Sequence, residues 1–101
     1  ITTSDEFWIA VDMATGKCFL GIYDESATAM KFVAADTGLD GNPATGDNPT
    51  ATISAMIGSN DYTFAVGSKD TSNDITLLRS TEVSGTTPTG YTYFENVKDL
   101  L

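Results

Sequence analysis

Residues 7–23 read Phe7-Trp8-Ile9-Ala10-Val11-Asp12-Met13-Ala14-Thr15-Gly16-Lys17-Cys18-Phe19-Leu20-Gly21-Ile22-Tyr23, and this stretch decides the fold. Phe7, Ile9 and Val11 alternate with Trp8 and Ala10, and Cys18, Leu20 and Ile22 alternate with Phe19, Gly21 and Tyr23. Successive side chains of a strand point to opposite faces, so a period of two in aromatic and β-branched residues marks two strands. The link between them, residues 12–16, starts on a turn-forming Asp and ends on Gly. A hairpin with a bulged loop is predicted, with Asp12 capping the turn. Trp8 faces opposite to Phe7 and Ile9, so both faces carry large apolar groups and the alternation alone does not say which is packed.

Downstream of Tyr23, Asp24-Glu25-Ser26 is a polar turn. Ala27 to Ala35 is ambiguous: Ala, Met and Lys favour helix, whereas Lys31-Phe32-Val33 suits a short strand, and an irregular excursion with one helical turn is expected. Asp36 to Pro49 must be loop. Within it, Gly41-Asn42-Pro43-Ala44-Thr45-Gly46-Asp47-Asn48-Pro49 sets two Asn-Pro pairs around Thr-Gly-Asp. Asn and Asp close turns with their own side chains, Gly accepts positive φ, and Pro fixes φ and restricts its predecessor. An ordered, self-capped loop is predicted.

Thr50 to Ile53 is expected to be a short strand, followed by strands at Tyr62 to Val66 and Ile75 to Leu78 around a polar hairpin tip, Ser68 to Asp74. Thr81 to Thr89 is a Thr-, Ser-, Gly- and Pro-rich connector. Gly90 to Phe94 is expected as a last edge strand, with a tail from Glu95 whose Leu100 and Leu101 dock on the body. Strands separated by turn signals, with no long helical period, predict an all-β antiparallel sandwich forming one domain over residues 1–101.

The bulk composition narrows the function. Fourteen acids against five bases give a net charge of −9. A fold this acidic is repelled by phosphate backbones and anionic bilayers, so nucleic-acid and membrane-surface partners are disfavoured. No apolar run approaches the length of a membrane-spanning helix. There is no His, which removes the commonest general base and transition-metal ligand, and the sole cysteine, Cys18, sits between apolar neighbours as a buried, inert thiol. An enzyme is therefore not expected. The chain opens at Ile1 rather than Met, as expected for a processed product or a piece of a longer polypeptide.

In order along the chain, a strand ending in Val11-Asp12, the Gly16-Lys17 turn exit and the strand Phe19 to Tyr23 precede the Gly41 to Pro49 loop. The Tyr62 to Val66 and Ile75 to Leu78 strands and a closing Pro88-Thr89-Gly90-Tyr91 follow. This order resembles the C-terminal part of a SPRY-type (B30.2-like, concanavalin-like) domain, in the version found in phage and prophage structural proteins. Phe7 to Tyr91 is covered by the resemblance. Family members carry several further strands before the Val-Asp turn, and after it an aromatic residue followed by Gly-Lys and an Asn-Gly turn; here that stretch reads Phe19-Leu20-Gly21-Ile22-Tyr23-Asp24-Glu25.

The resemblance implies a binding scaffold without cofactor or chemistry, gripping its partner through loops at one end of the sandwich. In a virion, on a tail fibre or capsid surface, the implied partners are other virion proteins or a host surface receptor, with the chain homo-oligomeric or part of a larger assembly. The alternative is a carbohydrate- or protein-binding adhesin module at a cell surface. The candidate binding residues are Asp40, Asn42, Thr45, Asp47 and Asn48 in the loop, with Tyr91 and Tyr93. Trp8, Tyr23, Tyr91 and Tyr93 also suggest a sugar-stacking platform, although such rings more often line a core. Asp36, Asp40, Asn42 and Asp47 offer hard oxygens, but their spacing departs from the EF-hand loop, and no metal site or cofactor is assigned.

Half of a sandwich would leave Phe7, Ile9, Leu20, Ile22, Phe64 and Val66 open to water, a patch that calls for a cover. Residues 1–101 expressed alone are expected to associate or to need a partner. A folded monomer at low micromolar concentration, measured by light scattering after size exclusion, would remove that requirement.

Overall fold

A computed structural model of the chain describes residues 5–53 and 78–93. These residues contain strands and turns and no helix. Four strands, β1 (Glu6–Asp12), β2 (Lys17–Asp24), β3 (Ala29–Val33) and β4 (Ala51–Thr52), form one antiparallel sheet, so the fold is all-β. The expected Tyr62 to Val66 strand, the polar tip, nearly all of the Ile75 to Leu78 strand and the C-terminal tail lie outside the described residues.

Strand β2 is the hub. It pairs with the whole length of β1, from Asp12 opposite Lys17 to Glu6 opposite Tyr23. Its other edge takes β3 from Leu20 to Asp24, then β4 at Lys17 and Cys18. The predicted hairpin is present. Its connection is closed by the Gly16 N–H donating to Asp12 O at 2.8 Å, with Gly16 at φ 73°, and by the Ala14 N–H donating to Asp12 Oδ1 at 2.9 Å. The bonds to Thr15 and Ala14 hold the Asp12 carboxyl below its ordinary pKa.

Ala27 to Ala35 contains strand β3 rather than a helical turn. Asp24 Oδ1 accepts from the Ser26 and Ala27 N–H groups, and Thr28 sits at φ 50°, so the chain reverses in a tight turn and returns along the free edge of β2. Pairing with β2 and burial of Phe32 override the local helical preference of Ala, Met and Lys.

Cross-strand partners share a face of the sheet. One face carries Glu6, Tyr23 and Met30, then Trp8, Gly21 and Phe32, then Ala10 and Phe19. This is the packed face: Trp8, Ala10, Phe19 and Phe32 form the core, with Phe19 fully buried. Among the described residues, its cover is not a strand. Val83, Tyr91 and Tyr93, on an irregular run of chain, pack against it. Gly90 to Tyr93 form no strand: Tyr93 is committed to an edge-to-face contact with Trp8, ring centroids 5.8 Å apart, and donates its hydroxyl to Leu78 O.

The middle row explains Gly21. Trp8 and Phe32 flank it on the two neighbouring strands, and the Phe32 ring lies across the glycine while meeting Phe19 edge-on at 6.4 Å. A β-carbon on Gly21 would stand 2.5 Å from Phe32 Cε1, far inside contact distance. Gly21→Ala is therefore expected to displace the Phe32 ring and lower stability by about 1–3 kcal/mol, the usual range for overpacking a core. An unchanged denaturant midpoint would show that the ring does not pack there.

Candidate functional site

The candidate loop is an ordered corner built from its own side chains. The Asn42 N–H donates to Asp47 O at 2.9 Å, and the Gly46 and Asp47 N–H groups return to Asn42 O, at 2.9 and 3.2 Å. The Asn42 side chain accepts from the Ala44 N–H at 3.1 Å, and Thr45 Oγ1 donates to Asp47 Oδ2 at 2.9 Å. Gly46 at φ 78° and Asn48 at φ 51° take the left-handed conformations that Gly and Asn tolerate best. The first Asn-Pro pair starts this miniature hairpin, and its Pro43 is buried.

Two ties anchor the corner to the sheet. The Gly41 N–H donates to Phe32 O at 3.0 Å, extending the edge of β3, and Lys17 Nζ donates to Gly46 O at 2.9 Å from the start of β2. Just upstream, residues 34–38 close a turn in which Ala34 N–H donates to Gly38 O at 2.8 Å and Gly38 N–H to Asp36 Oδ1 at 3.0 Å. The fourteen-residue loop of the sequence thus resolves into two linked turns.

Asp40, Asn42, Thr45, Asp47 and Asn48 are all exposed. Asn48 Nδ2 donates to Asp40 Oδ2 at 3.2 Å, which draws Asp40 onto the same corner. Their polar atoms are largely engaged with one another. Tyr91 is half-buried and reaches the hairpin end of the sheet, where burial, followed by the charges of Asp12 and Cys18, raises its hydroxyl pKa. Tyr93 stands apart from the loop, packed on Trp8. Trp8 is itself buried, so it offers no open face to a sugar ring.

Asp36 and Asp40 both border Gly38, yet among the described residues no group of three His, Cys, Asp or Glu side chains converges as a metal site. An open depression of about 360 Å³ lies beside the loop, lined by Ala34, Asp36, Pro49 and Thr52 among others. It is walled mainly by methyl and methylene groups. Cys18 is half-buried rather than fully buried, and burial raises its thiol pKa, which disfavours the nucleophilic thiolate.

The opposite face of the sheet carries the larger feature. It holds three rows: Phe7, Ile22 and Lys31; Ile9, Leu20 and Val33; Val11, Cys18 and Ala51. Phe7 is 61% and Ile9 39% exposed, and Lys31 is the one charge in these rows. Of the residues that half of a sandwich is expected to leave open, Phe7 and Ile9 are exposed here, Leu20 and Ile22 are half-buried, and Phe64 and Val66 lie outside the described residues.

Other residues gave no signal in the sequence. Thr50 closes the gap where β3 leaves β2 and β4 begins: its Oγ1 accepts from the Leu20 N–H at 2.9 Å and donates to Val33 O. Glu6, adjacent to the hairpin, accepts bonds from Ser84 and Gly85, far away in sequence. Comparison with protein-family models, curated proteins and solved structures finds no match to this chain.

Thr50→Val keeps the shape of Thr50 but strips both bonds, leaving the Leu20 N–H and Val33 C=O unpaired. A loss of about 1–3 kcal/mol is expected, together with faster amide exchange at Leu20. Unaltered exchange at Leu20 would mean that the hydroxyl does not hold that strand junction.

Proposed function

We propose that the chain is a non-enzymatic binding module that works by protein–protein contact through the open face of its sheet. The observation that carries this reading is the exposure of Phe7 and Ile9 in continuous rows with Val11, Leu20, Ile22 and Val33. Exposed contiguous apolar surface is unfavourable in water, and burying it against a partner gains about 25 cal/mol per Å² of apolar area. Aliphatic groups and a Phe ring, with one ammonium, suit an apolar polypeptide surface. They provide few hydrogen bonds for sugar hydroxyls.

The partner is a different protein with an acidic group placed to meet Lys31. A second copy would set two bodies of net charge −9 against each other, with a Lys31 from each in the same interface, and like charges in an interface oppose association. The SPRY-type resemblance of residues 7–91 supports the setting: a phage structural protein, a tail-fibre or capsid-surface component that binds another virion protein in attachment or assembly. That setting, and completion of the sheet into a sandwich, rest on the sequence pattern. The self-bonded loop corner then serves as a rigid edge of the module.

The test is site-specific photocrosslinking from positions 7 and 9 in the native assembly, with position 45 on the loop as the control. One polypeptide crosslinked in fixed ratio from positions 7 and 9, and lost in Lys31→Glu, is the expected result. Crosslinks only between copies of this chain would overturn the choice of partner. Crosslinking from position 45 alone, or glycan binding that survives Phe7→Asp and Ile9→Asp, would move the function to the loop and to the adhesin alternative.

A further inference from the structure

The buried carboxylate of Glu6 is used neither by the open face nor by the loop. It lies at the start of β1 on the packed face, in the row with Tyr23 and Met30. Three N–H groups converge on it. Ser84 N–H donates to Oε2 at 2.6 Å, Gly85 N–H donates to Oε1 at 2.9 Å, and Trp8 Nε1–H donates to Oε1 at 3.1 Å. Two successive backbone N–H groups aimed at one carboxylate make a small anion-binding concavity, filled here from within the chain.

Gly85 sits at the centre of the contact. A β-carbon there would stand 2.6 Å from Met30 Sδ and 2.9 Å from Trp8 Cε2 and Cζ2, so the backbone lies directly on the indole and the thioether. Val83 packs on the core from the same stretch. No ladder of backbone bonds joins this stretch to the sheet among the described residues; Glu6 supplies the polar attachment at this end.

We propose that Glu6 is an acid-releasable latch that holds residues 83–85 over the packed face, and that protonating it lets this part of the cover lift from Trp8 while the sheet stays formed. An ionised acceptor makes hydrogen bonds roughly twice as strong as a neutral one. A proton must land on one of two oxygens that already face N–H donors, so the attachment weakens at once in more than one bond.

Among the described residues, the surroundings supply no competing switch. Just before β1, Asp5 accepts from the Glu25 N–H at 3.0 Å. From β2, the group opposite Glu6 is Tyr23, followed by Asp24, which caps its own turn. From β3, the neighbour is Met30, with Lys31 on the other face. From the cover, Arg79 and Glu82 close their own turn, with the Arg79 N–H donating to Glu82 Oε1 at 3.0 Å, and Tyr93 contacts Trp8. There is no His in the chain to confuse the titration.

The sign follows from the bonds. Burial acts to raise the Glu6 pKa, but the bonds from Ser84, Gly85 and Trp8 together outweigh it, and the carboxyl titrates below its ordinary value. A depressed folded-state pKa means that the stabilisation is present above the unfolded-state value and is lost as pH falls through the folded one. The latch is therefore closed at neutral pH and opens only in acid, below the range of an ordinary Glu.

Trp8 is the sole tryptophan and one of the donors, so its fluorescence reports on the latch directly. Acidification should shift Trp8 emission to the red while the far-ultraviolet β signal persists. In the same titration by NMR, the Ser84 and Gly85 amide shifts should follow the Glu6 side-chain carboxyl with one shared midpoint. Glu6→Gln sets an NH2 donor against N–H donors and should show the red-shifted emission at neutral pH, with the acid step gone. The proposal is overturned if Trp8 emission holds until the β signal itself collapses, or if the Ser84 and Gly85 amides ignore the Glu6 titration in the unmutated chain. The amide arm decides the matter even if Glu6→Gln does not fold.

Discussion

Every strand described hydrogen-bonds to β2, and the structure depends on that one arrangement. With a side-chain period of two, the register of β1 on β2 assigns every residue of both strands to a face at once, and a slip of one residue would exchange the faces. That register sets Trp8 beside Gly21 and Gly21 beside Phe32. The missing side chain at Gly21 is what lets the Phe32 ring cross the middle of the sheet and meet Phe19 edge-on. A slipped register would place Gly21 opposite a different residue and leave the large rings without this gap. The glycine thus acts as a register mark as well as a space.

Much of this local structure is legible in the sequence because it is written in short-range chemistry. The hairpin follows from alternation and from Asp12 and Gly16 at its turn. The Gly41 to Pro49 corner closes through the Asn42, Thr45, Gly46 and Asp47 geometry that those residue types favour. Strand β3 is ambiguous because its Ala, Met and Lys favour helix while Phe32 and Val33 suit a strand; the open edge of β2 decides it. The choice of packed face was not legible. Phe7, Ile9 and Val11 are as apolar as Trp8 and Ala10, and the decision rests with Tyr91, Tyr93 and the stretch at Val83, all distant in sequence. The same distance hides Glu6, whose partners lie 78 and 79 residues on.

The loop and the sheet face compete as places for a partner, and their chemistry separates them. In the loop, Asp40, Asn42, Thr45, Asp47 and Asn48 are exposed but spend much of their hydrogen-bonding capacity on each other. A partner there would have to match an arrangement already satisfied, and the corner lacks the Trp, Tyr and Arg anchors of strong contacts. The open face has the reverse character: large apolar groups and one cation, Lys31. A contact there, as proposed, would gain from desolvation, with Lys31 setting orientation.

The cover and the sheet are held by different physics. The packed face is covered by chain that forms no strand among the described residues, so its attachment relies on aromatic packing by Tyr91 and Tyr93 and on the bonds that Ser84 and Gly85 make to the Glu6 side chain. The sheet itself is held by a continuous ladder to β1 on one side of β2 and by β3 and β4, with Thr50 bridging between them, on the other. Segments held by few bonds open at lower free energy than ladders do, so the cover is the part that responds first to a change in solution conditions. Trp8, Phe19 and Phe32 would keep their strand positions through such an opening, because their backbones belong to the ladders rather than to the cover. A partner docked on the opposite face, as proposed, would meet strand residues rather than the cover, so its binding would not depend on the proposed latch.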